Sequence, residues 1–127
     1  VLSFGQKIRW TLRLLLFRKV RIHIHLPVEA NTRSGRWVRF DSKLHDQTVA
    51  EIENYLAERF QGLSFDVWVK RNTGGIWAGV SEENIIVFID LRARLQDIEW
   101  FFKMEKEVWR ERFDQQLIYV AIHPLWN

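Results

Sequence analysis

None of the 127 residues is cysteine, which excludes a disulfide framework, a thiolate metal site and a cysteine nucleophile. Glycine and proline are sparse, at six and two, so turns must be found from a few local signals. No apolar run approaches the ~20 residues of a membrane span; the best candidate, "TLRLLLF", is short and carries Arg13. No Gly-x-Ser-x-Gly stretch is present, and "NTGGIWAG" matches neither a P-loop nor a dinucleotide fingerprint, so it is expected to be a hairpin turn. The chain opens on Val1 without a small-residue cleavage pattern, so no leader is expected, and the lack of cysteine suits a cytoplasmic setting.

What is present is a globular balance, with 47% hydrophobic and 28% charged residues, in a length that suits one domain. Seven tryptophans and nine phenylalanines exceed what a small core hides completely, so some must reach a surface or an interface. Charge is unevenly spread. Residues 1–40 hold nine Lys/Arg against the single acid Glu29, a net +8, and the remainder carries −5. A basic arm on an acidic body suits nucleic acid, an anionic membrane, an acidic protein or a second copy of the chain.

The segment "FGQKIRWTLRLLLFRK" reads as a helix with Ser3 as its N-cap. Phe4, Ile8, Leu12, Leu15 and Leu16 form one stripe, which Trp10, Leu14 and Phe17 widen almost around the axis. So apolar a helix must pack on the sheet or on a partner. "KVRIHIHLP" alternates as a strand stopped by Pro27, and "RWVRF" is a candidate return strand. "HDQTVAEIENYLAERF" is an amphipathic helix with Asp46 and Thr48 as cap candidates and Val49, Ile52, Leu56 and Phe60 on its apolar side. Strands follow at "SFDVWVKR", "IWAGV" and "IIVFIDL". A helix from Asp97 to about Gln116 turns Ile98, Phe101, Phe102, Val108, Trp109 and Phe113 inward, and "QLIYVAIHP" closes the pattern as a strand. The result is one α+β domain with a β-α-β-β-α-β, ferredoxin-like core, an extra N-terminal helix, and one or two added short strands.

Alternation then assigns side chains to faces. Val20, Ile22, Ile24 and Leu26 line the core, so Arg21, His23 and His25 project from the opposite face. In the ferredoxin-like order Tyr119 and His123 join them, with Trp68 and Phe88 alongside.

"HIH" resembles the His-hydrophobic-His core of the HUH single-strand nucleases in those three letters alone. That resemblance implies a divalent metal on His23 and His25 and an attacking tyrosine on a downstream helix. Tyr119 falls on a strand, and Tyr55 on a helix packed through Val49, Ile52 and Leu56. His23, His25 and His123 are therefore metal candidates only, with no cofactor assigned. Carboxylates such as Glu51, Glu58, Glu107, Glu111 and Asp114 read as solvated helix surface rather than an acid/base pair.

The expectation is a non-enzymatic protein-interaction module, homodimeric or a small inhibitor- or antitoxin-type binder. Its contacts would come from Ile8, Leu12, Leu15, Leu16, Arg21, His23, His25, Trp68, Phe88 and Tyr119. A single-stranded nucleic-acid binder is the alternative and a His-based metal enzyme the third reading. Among partners, a membrane ranks last.

Overall fold

The computed structural model describes residues 2–16, 19–59, 65–77 and 80–125. It is a mixed α+β structure with three helices and a curled, antiparallel five-stranded sheet. The order is α1 (Phe4–Leu16), β1 (Lys19–Asn31), β2 (Trp37–Arg39), α2 (Ser42–Arg59), β3 (Asp66–Trp77), β4 (Val80–Arg92), α3 (Leu95–Met104) and β5 (Val120–Pro124). Beyond Met104, α3 continues through a π-helical turn, Glu105–Trp109, and a last α-helical turn, Arg110–Arg112.

β1 organises the sheet. One of its edges pairs with β4 from Lys19 to Glu29, and β3 lies outside β4. The other edge is shared: β5 takes Val20–Ile24 and β2 takes Glu29–Asn31. Pro27 does not stop the strand, as the sequence suggests, because it sits at this changeover. It has no N–H to leave unpaired there, and its carbonyl accepts a 2.8 Å hydrogen bond from His45 Nε2 of α2.

Two further expectations change at the β3–β4 hairpin and at α2. "NTGG" is not the turn; it lies within β3, where the register shifts between Asn72 and Gly75, and the strands run on to Trp77 and Val80. Glycine lets a long strand absorb such an irregularity. α2 starts earlier than Asp46: Asp41 Oδ1 accepts from Lys43 N at 2.9 Å, and His45, Thr48, Ile52 and Leu56 form the buried side. Phe60 and Phe17 lie outside the described residues.

α2 and α3 cover one face of the sheet. Their Ile52, Leu56, Ile98, Phe101, Trp109 and Phe113 meet Val20, Ile22, Ile24, Leu26, Val87, Ile89 and Leu91. From Phe101 to Trp109 an α-helix would drift by about 80°. The wider π-helical turn helps keep Trp109 and Phe113 on the core side. Glu105, buried within that turn, accepts two hydrogen bonds from Arg110 and one from Ile118 N, fixing the approach to β5.

α1 lies on this same helical side. Ser3 caps it through a reciprocal pair with Gln6, at 2.8 and 3.2 Å. Leu2, Trp10 and Leu14 pack on the core, and Lys7 reaches Glu99 of α3 at 3.5 Å. Within the chain, then, the helix does not cross the open sheet face.

Candidate functional site: the open sheet face

Three ladder rows build the face that no described helix covers. One row runs His123, Arg21, Asp90, Asp66 across β5, β1, β4 and β3; the next runs Ala121, His23, Phe88, Trp68. A third begins at Tyr119, whose carbonyl accepts from His25 N at 3.0 Å, and continues through His25, Ile86 and Lys70. The expected sheet-face residues Arg21, His23, His25, Trp68, Phe88, Tyr119 and His123 are thus brought together. Ile86, in the same row as His25 and Lys70, is buried.

The rings hold one another. Trp68 and Phe88 are stacked, with centroids 5.3 Å apart and planes 9° off parallel. His23 meets Phe88 at 4.6 Å and His123 at 5.1 Å, both edge-on. His25 meets Tyr119 at 4.8 Å in the same manner. Arg21 bonds both oxygens of Asp90, at 2.8 and 2.9 Å, while its guanidinium carbon stands 5.0 Å from the Trp68 ring centroid. One side chain thereby neutralises the central acid and makes a cation–π contact.

Burial pushes the His23 imidazole below its ordinary value, and His123, His25 and Arg21 push the same way. Burial lowers His25 as well. These two rings therefore favour the neutral form. Alternation adds Lys19 and Arg92, register partners at one end of the face. With Arg21 and Lys70 there are four permanent cations against Asp66 and Asp90.

His23 and His25 share the face but turn to different partners, and among the described residues no three His, Asp or Glu side chains are grouped to hold a metal ion. No protein-family model matches the chain. A search of curated proteins also finds no match. The face must therefore be read from its own chemistry.

The other expected contacts, Ile8, Leu12, Leu15 and Leu16, lie elsewhere. They occupy the side of α1 turned away from Trp10 and Leu14, so the helix stripe and the sheet face are two separate surfaces. No described helix is long and apolar enough to cross a membrane.

Several polar groups that sequence reasoning passed over prove structural. Glu51 is not solvated surface: Arg112 bonds it at 2.6 and 2.7 Å and Trp109 Nε1 at 3.2 Å. Burial would raise its carboxyl, but the Arg112 and Trp109 hydrogen bonds hold it below the usual range. Asp97, fully buried, accepts from Tyr55 at 2.8 Å, Arg59 at 3.3 Å and the Arg94 backbone at 2.8 Å, clamping α2 to the start of α3. Burial and that carboxylate push the Tyr55 phenol well up. The sequence places Asp97 at the start of this helix; what it does not show is the clamp to Tyr55 and Arg59, which lie about forty positions away.

Proposed function

We propose that this chain is a non-enzymatic interaction module whose open sheet face docks a protein, with a second copy of the chain as the first partner to test. The observation that carries the reading is the interlocked set Arg21, Trp68, Phe88, His23, His25 and Tyr119 on an uncovered face. Trp, Tyr and Arg are the residue types that dominate interface energetics, and rings already held by neighbours lose little freedom on docking. The ferredoxin-like class belongs to the same proposal; it is supported by the neighbour order β5-β1-β4-β3 and by α2 and α3 sharing one face.

Light scattering over a wide concentration range tests the self-association arm. The expected result is twice the chain mass, with Trp68→Ala plus Tyr119→Ala weakening association by roughly thirtyfold or more. A monomer at every concentration would sink the homodimer and leave a different protein as the partner. One observation favours a second reading, a single-stranded nucleic-acid binder: the four permanent cations around the aromatic rows. Such binding would fall steeply with added salt, whereas docking through the aromatic rows would change little.

A further inference from the structure

α1 poses a different question from the sheet. Phe4, Ile8, Leu12, Leu15 and Leu16 are 80, 47, 57, 72 and 77% exposed, along a helix anchored on its other side by Trp10 and Leu14. At 100° per residue these five span about a third of the circumference. Arg9 and Arg13 follow next to Leu16 around the helix, and Thr11 and Lys7 next to Phe4. The helix contains no acid.

We infer that this outer stripe docks on an anionic lipid surface, with α1 lying in the plane of the headgroups. Charge favours lipid over a second copy. Packed face to face about a two-fold axis, antiparallel stripes would set Arg9 and Arg13 against the same cations of the other helix, and parallel stripes would set them against its Lys7 edge, with no helical acid to compensate in either case. Shape favours lipid over an acidic protein. The stripe is a convex ridge about 20 Å long, and a protein would need a matching apolar groove bordered by acids. Headgroups and acyl chains conform to any ridge, while anionic headgroups meet the arginines. The inference goes beyond the sheet-face reading and uses none of its residues.

The test is co-sedimentation of the chain with vesicles of phosphatidylcholine alone and of phosphatidylcholine mixed with phosphatidylglycerol. Binding is expected to the mixed vesicles and to be much weaker to the neutral ones. Arg9→Gln and Arg13→Gln should each lower partitioning about fivefold, and Leu12→Asp should abolish it. Leu12 is exposed, so that variant should melt as the parent does; Leu16→Ser is a milder second variant that should reduce binding without a charge change. Three results would overturn the inference: no binding to mixed vesicles, equal binding by the Leu12→Asp and Leu16→Ser variants, or a stripe-dependent oligomer that ignores vesicles.

Discussion

Along β1, Val20, Ile22, Ile24 and Leu26 have almost no accessible surface, whereas Arg21, His23 and His25, interleaved with them, stay partly open. The backbone is common to both sets, so the difference comes from what each face meets. The aliphatic face meets α2 and α3, where even the polar residues are paired: Glu51 with Arg112, Asp97 with Tyr55 and Arg59, Glu105 with Arg110. On the other face, among the described residues, the side chains meet one another through ring edges, the Trp68–Phe88 stack, the Arg21–Asp90 pair and the Arg21–Trp68 contact. One face holds the domain together, and no described helix covers the other.

The largest expected effect lies on the helical side. Ile22→Ala removes a fully buried side chain between α2, α3 and the sheet, and denaturant unfolding should register a loss of about 2–5 kcal/mol. His23→Ala, one residue along, should cost well below that; equal losses would dissolve the contrast between the faces.

A smaller effect should appear with pH. His23 and His25 are held below their ordinary value when folded. As pH falls through about 6.5, the unfolded imidazoles take up protons that the folded ones still refuse. The unfolded state therefore binds more protons in that window, and stability should decline with falling pH until the folded rings also titrate. Thermal melts across the range should show a shallower decline for His23→Gln. An unchanged slope would place the titration elsewhere. The smallest effect is expected at Trp68→Ala, which should change monomer stability by less than ~1 kcal/mol because the ring is partly exposed, even if it disrupts docking.

Much of this division was legible beforehand because alternation is a local signal. "RIHIHL" alone assigns three residues to each side, and Tyr119 and His123 follow from "LIYVAIHP". The places that misled were those where a distant element decides. Pro27 looked like a strand end until the edge changeover and His45 were in view. The glycines of "NTGG" looked like a turn because a bulge and a turn use the same residue type. Glu51 looked like surface because Arg112 lies sixty-one positions away in sequence. α1 looked apolar almost all round because sequence cannot say which side α3 will take.

The sharing of β1 between β5 and β2 also bears on how the chain is made. The strand that closes that edge at residues 20–24, residues 120–124, is synthesised about a hundred positions after it. Until then the edge is an open row of hydrogen-bonding groups on an Ile- and Val-rich strand, the kind of template other chains can pair with. Folding that waits on so distant a pairing is slow compared with a helical bundle of similar size. The five residues of β5 thus act as a late seal, and a nascent chain stalled before them would be the form of this protein most in need of a chaperone.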